Sequence, residues 1–144
     1  MSLAKQLVIA LVALAFTACL APQNVTMVGV DVRSWSEGAT LTVENNDTLS
    51  LRNLNIAVRY NNNFKATELP LKIAILAPDS SRYEEMAILP LRRPTTALAV
   101  ATTESLPYRS KVQLSQRGGY HISFEPLSKI CGVEAIGVEF REIE

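Results

Sequence analysis

From Val25 onward, apolar residues recur at every second position in short runs, a period that restricts the chain to half-buried strands rather than helices. Residues 53–60 place Leu54, Ile56, Val58 and Tyr60 on one face. Residues 71–77 set Leu71, Ile73 and Ile75 against Lys72, Ala74 and Leu76. The same rule marks 39–44, 83–89, 110–114, 120–124 and 133–141, and 25–32 supplies another strand in which Gly29 marks a bulge or an edge. Turn chemistry separates the runs: Ser36-Glu37-Gly38, Asn45-Asn46-Asp47, Asn61-Asn62-Asn63, Pro78-Asp79-Ser80 and Arg117-Gly118-Gly119. No window after residue 25 keeps a helical stripe, and 95–104 reads equally as a strand or a short helix. About eight strands at this spacing, without an internal repeat, predict an all-β fold: a two-sheet antiparallel β-sandwich of jelly-roll or Ig-like connectivity.

The first residues follow a different rule. One cation, Lys5, precedes an unbroken apolar run over 7–16. As a helix that run spans only about 15 Å, half of a ~30 Å hydrocarbon core, so it reads as an export signal and not as a membrane span. Phe16-Thr17-Ala18-Cys19 then looks like a lipobox, in which small side chains precede a cysteine whose thiol takes diacylglycerol. The expected organisation is a signal peptide over 1–18, a lipidated N-terminus and short tether over 19–24, and a sandwich domain over 25–144. No Asp follows Cys19, and no acidic run does either, which points to a periplasm-facing anchor in the outer membrane. Several acyl chains give stable attachment where one gives only reversible binding.

Composition then narrows the function. Lys+Arg and Asp+Glu both number 14; losing 1–18 removes one cation and no acid, leaving 13 against 14. A nucleic-acid binder would carry a basic excess, so no such partner is expected. With Cys19 consumed by lipid, Cys131 has no intrachain partner, and the core must stand without a disulfide.

Candidate residues each admit two readings. Trp35 is either an exposed platform on which a sugar could stack or a plug in the core. Tyr120, Ile122 and Phe124 share the core face, which turns His121 outward with Ser123, where it binds a partner or is simply solvated. Arg92-Arg93 is a weak anion patch or a solvated loop. Cys131 lacks a neighbouring base and orienting group in sequence, the minimum for a reactive thiolate. Glu134 and Glu139 are an odd number of residues apart, which on a regular strand puts them on opposite faces and rules out a carboxylate pair. Asp47-Thr48-Leu49 fits the pattern that Bacteroidetes O-glycosylate, making Thr48 a candidate, or else it is an Asx-type turn. No phosphate loop, nucleophile elbow or zinc motif occurs, and neither catalytic residues, metal nor cofactor are expected.

Taken together, the lipobox cysteine, Trp35, Asn46-Asp47-Thr48, the run from Leu54 to Tyr60, Pro78-Asp79, the run from Gly118 to Phe124 and the closing run from Val133 to Arg141 resemble the Bacteroidetes gliding-motility lipoprotein GldH family. Where that family has a Trp/Gly-rich stretch, residues 94–107 are rich in Thr and Ala. The resemblance implies a non-enzymatic outer-membrane lipoprotein, accessory to a gliding or secretion assembly and acting through contacts with envelope proteins. A glycan-binding sandwich used in polysaccharide capture is the other expectation, with Trp35 as its stacking residue.

Overall fold

A computed structural model of the chain describes residues 24–92 and 100–143. The expected signal peptide, Cys19 and most of its tether lie outside these residues, as does Arg93. Eight strands follow in order: β1 (Val25–Gly29), β2 (Ala39–Asn45), β3 (Leu51–Tyr60), β4 (Glu68–Leu76), β5 (Arg82–Pro90), β6 (Thr102–Gln113), β7 (Gly118–Pro126) and β8 (Val133–Glu142). They form two four-stranded antiparallel sheets of order β1-β8-β3-β6 and β2-β7-β4-β5. Of the two expected connectivities this is the jelly roll: every connection passes from one sheet to the other except the β4–β5 hairpin.

The alternation read from the sequence is the inside–outside pattern of the sandwich. Leu54, Ile56, Val58 and Tyr60 from β3 meet Leu69, Leu71 and Ile73 from β4, with Ile122, Phe124, Ile136 and Val138 completing the core. Of the stretch whose period was ambiguous, 95–99 lie outside the described residues and 102–104 open β6, which begins at Thr102 and not at 110. Pro107 is tolerated there because β6 is an edge strand.

Register fixes which loops share an end. Arg52 opposes Glu142 and Val25 opposes Glu139, so the chain enters β1 beside the start of β3 and the end of β8. The β2–β3, β4–β5 and β6–β7 connections lie at this near end. The β1–β2, β3–β4 and β7–β8 connections lie at the far end, where β5 also ends and β6 begins.

The far end is stapled shut. Trp35 and Ile130 exchange two backbone hydrogen bonds of 2.8 and 2.9 Å, and the Gly132 N–H donates to the Val32 carbonyl at 2.8 Å. The Asn61 N–H donates to the Gly132 carbonyl at 2.9 Å, drawing the β3–β4 loop into the same knot. Gly132 sits at φ +95°, where a Cβ would lie 2.1 Å from the Phe64 nitrogen, so only glycine fits. Phe64 meets the Tyr60 ring edge-on at a centroid distance of 5.7 Å.

Candidate functional site

Trp35 is 3% exposed and donates its indole N–H to the Glu37 carbonyl at 2.7 Å. It is the core plug, and the stacking expectation is corrected: no ring face is left for a sugar, because the β1–β2 loop folds the indole under the sheets to close the far end. His121 does face outward, accepting or donating at Nδ1 to the Thr42 hydroxyl at 2.9 Å across the β2–β7 pair. Cys131 is exposed at the far end, in the β7–β8 loop. His121 lies near the opposite end of β7, so the two sit about 20 Å apart along the strand direction and form no thiol–imidazole pair.

The acidic residues of β8 do not follow simple parity. Tyr60 opposes Val133 while Arg59 opposes Ala135, so Glu134 is the extra residue of a bulge. The bulge resets the alternation, and Glu134 turns to the same outer face as Glu139. Glu134 accepts from Arg59 Nε at 2.9 Å and from Asn61 Nδ2 at 3.3 Å. Glu139 is held below the usual carboxylate range by the Ser105 hydroxyl first and by Arg141 second, the latter at 3.1 Å. The rows of Arg59 and Asn55 on β3, which carry the two carboxylates, are about 13 Å apart at strand rise. That exceeds the roughly 5–9.5 Å of a glycosidase pair; the expected opposite faces are corrected, and separation along the strands is what keeps the two carboxylates apart.

One polar cluster had no signal in the sequence. Tyr83 and Glu85 on β5 meet Tyr108 and Arg109 on β6, closing the seam between the edges of the two sheets. The Glu85 carboxylate accepts from the Tyr108 hydroxyl, from the Tyr83 hydroxyl at 2.7 Å and from Arg109. These bonds, the Tyr108 hydroxyl first, hold its pKa low; burial and the same carboxylate push the Tyr108 phenol up. Tyr108 reaches Glu85 because it is unpaired in a bulge of β6, between Pro107 opposite Asn55 and Arg109 opposite Leu54. A second such bond ties Tyr60 to Glu104 at 2.9 Å, and burial with that carboxylate raises Tyr60 to about 12. Both clusters brace the sandwich through internal hydrogen bonds, and Tyr108 and Arg109 also line a groove of about 400 Å³ with Asn53, Asn55 and Arg141.

Other surfaces among the described residues stay open. A groove of about 690 Å³ at the far end is lined by Phe64, Lys65, Pro70, Lys129 and Cys131. Beside it, the outer face of the β4–β5 hairpin carries an apolar row: Ile88 opposes Pro70, and the Leu127 N–H donates to the Pro70 carbonyl at 3.3 Å. Ile88 is 63% exposed and Met86, one row in, 64%. Among the described residues no group of three His, Cys, Asp or Glu could hold a metal ion.

At the near end, Thr48 is half-buried in the β2–β3 turn. The Asx reading describes this turn: Asp47 Oδ1 accepts from the Leu49 N–H at 3.1 Å and the Ser50 N–H at 3.0 Å. The Thr48 carbonyl accepts from Gln113 Nε2 at 2.9 Å.

No family model matches the chain, and no curated protein does. Among solved structures it is similar to an exo-β-1,3-galactanase from Phanerochaete chrysosporium crystallised with galactose, at 14% identity and a TM-score of 0.39 over 81% of this chain. It is also similar to a family GH115 4-O-methyl-α-glucuronidase with specificity for decorated arabinogalactans, at 8% identity and a TM-score of 0.37 over 86% of this chain. The chain spans 26% and 16% of the lengths of these two enzymes. Likeness at this level carries no argument about function.

Proposed function

We propose that this chain is a non-catalytic lipoprotein of the bacterial outer membrane, an accessory component of a gliding or secretion assembly that works through protein–protein contacts. The observation that carries the reading is the apolar run over 7–16 leading into Phe16-Thr17-Ala18-Cys19. The GldH-like order of short motifs along the rest of the chain supports it. Acylation at Cys19 confines the domain to the membrane plane, which raises its effective concentration toward envelope partners without any added contact.

The fold supports a specific contact surface. Chain entry at the near end turns the far half away from the anchor, and the apolar row of Pro70, Ile88 and Leu127 lies in that half with Met86 beside it. β5 is also an edge strand, where a partner strand can add by main-chain hydrogen bonds. The partner this surface fits is an envelope protein offering an extended apolar segment.

Crosslinking the tagged full-length chain in its native envelope tests the reading, with captured proteins identified by mass spectrometry. The expected result is reproducible capture of gliding or secretion proteins that is lost in Cys19→Ala and weakened in Met86→Asp/Ile88→Asp. Capture of polysaccharide-uptake proteins alone, or capture indifferent to both variants, would sink it.

A further inference from the structure

We infer that the near end of the sandwich rests against the lipid bilayer, with Leu49, Leu51 and Ile143 entering the headgroup layer as a second, non-covalent anchor. The inference rests on the reading that Cys19 is acylated. Isolated exposed leucines are ordinary, so position carries the argument here. Leu49 is 84% exposed at the apex of the β2–β3 turn, and Leu51 and Ile143 are exposed beside it. Because Arg52 opposes Glu142, the next step along the two strands brings Leu51 level with Ile143 on the outer face of the first sheet. All three therefore cluster at the end where Asn24 enters β1.

Chain length brings the bilayer to that end. Five steps separate Cys19 from Asn24, and at no more than ~3.6 Å each they reach about 18 Å when fully extended. A lipid-anchored domain cannot withdraw this end farther from the surface than that. A contact too weak to bind the free protein becomes occupied under such confinement.

The turn is built to display its leucine. Asp47 Oδ1 bonds two successive amides, and Gln113 clamps the Thr48 carbonyl, so Leu49 is held out on a braced support. Behind the apolar tip, Lys111 and Arg141 flank Asn53: the Lys111 N–H donates to Asn53 Oδ1 at 3.3 Å, and Arg141 opposes Asn53 in the sheet. They stand about 7 Å back from Leu51, the depth at which lipid phosphates meet a shallowly inserted side chain. Asp47 and Glu142 share this end. Asp47 is committed to the turn, and Glu142, with Asp79 in the β4–β5 connection and Glu44 near the end of β2, limits how deep the tip can go.

The test uses the full-length chain in isolated envelope membranes. A polarity-sensitive thiol dye is attached at Leu49→Cys, or at Asn62→Cys in the far-end β3–β4 loop, in both cases with Cys131→Ser. Both positions are exposed, so neither substitution threatens folding. Intact-mass analysis reads the lipid on Cys19 and any hexose on Thr48. The expected result is acylated Cys19, blue-shifted emission at position 49 that resists iodide and is quenched by nitroxide lipids, and aqueous emission at 62. Acylated Cys19 with equal iodide quenching at both positions would overturn the tip contact and leave the anchor standing. Hexose on Thr48 would overturn it too, since a glycan in that turn keeps the leucine out of the bilayer. Unmodified Cys19 would remove the anchor, and the tip contact with it.

Discussion

The two ends of the sandwich are closed by different chemistry. At the far end, three loops exchange backbone hydrogen bonds over Trp35 and Phe64, and Gly132 lets two of them touch. At the near end, polar side chains perform the closure. Buried Asn45 donates to the Leu114 and Gln116 carbonyls at 2.9 and 2.8 Å, and the Arg52 guanidinium lies 4.8 Å over the Phe140 ring. Arg52 Nη2 reaches Asn45 Oδ1 at 3.3 Å, yet its Nε is buried without a partner. The far end is an extension of the core, whereas the near end is a lid of side chains that tolerates exposed leucines. Substitutions should therefore unfold the protein from one end and only loosen it at the other.

The largest effect is expected from Trp35→Ala, which empties the plug and should cost about 4 kcal/mol in chemical denaturation. A loss below about 1 kcal/mol would show that the far end is no part of the core. Gly132→Ala should follow at about 3 kcal/mol, because the added Cβ has nowhere to go and the backbone is left-handed there. Thermal melting checks it, and an unchanged midpoint would mean that the loops part without penalty.

At the near end, Asn45→Ala leaves two carbonyls without their donor and should cost about 1–2 kcal/mol. Amide exchange should rise in the β6–β7 connection while the Trp35 amide stays protected. Smallest of all is a titration. The Ser50 side chain and amide, with the Leu49 amide, hold Asp47 down at about 2. Since this pKa is depressed on folding, the stability it contributes is present above the unfolded value of about 3.8 and is lost as pH falls through about 2. Carboxyl-carbon NMR should show a midpoint near that lower value, with the Leu49 and Ser50 amide shifts moving together with it. A midpoint at the unfolded value would mean that the turn is not braced.

The strands were legible because each is half-buried, and burial on one face writes a period of two into β3, β4 and β7. Pairing was not, since 1-8-3-6 and 2-7-4-5 join strands far apart in the chain, and periodicity is blind to partners. Prolines were a mixed signal: Pro90 and Pro107 lie in the edge strands β5 and β6, where a missing N–H costs no ladder bond, but Pro70 and Pro126 lie near the ends of the inner strands β4 and β7. The bulges hid the rest: one at Glu134 returned it to the same face as Glu139, and another freed Tyr108 to reach Glu85. Trp35 was ambiguous because one tryptophan in a loop has no period to betray its side. Its place in the core became visible only with the bridge to Ile130.

Attachment through Cys19 is the central claim about this protein, and fractionation tests it directly. Full-length wild-type and Cys19→Ala chains would be expressed in the native host and partitioned between membrane and soluble fractions. The expected result is a wild-type protein that stays with the membrane through a high-salt wash, and a variant released into the soluble periplasmic fraction. A Cys19→Ala protein that remains as firmly in the membrane fraction would contradict the account.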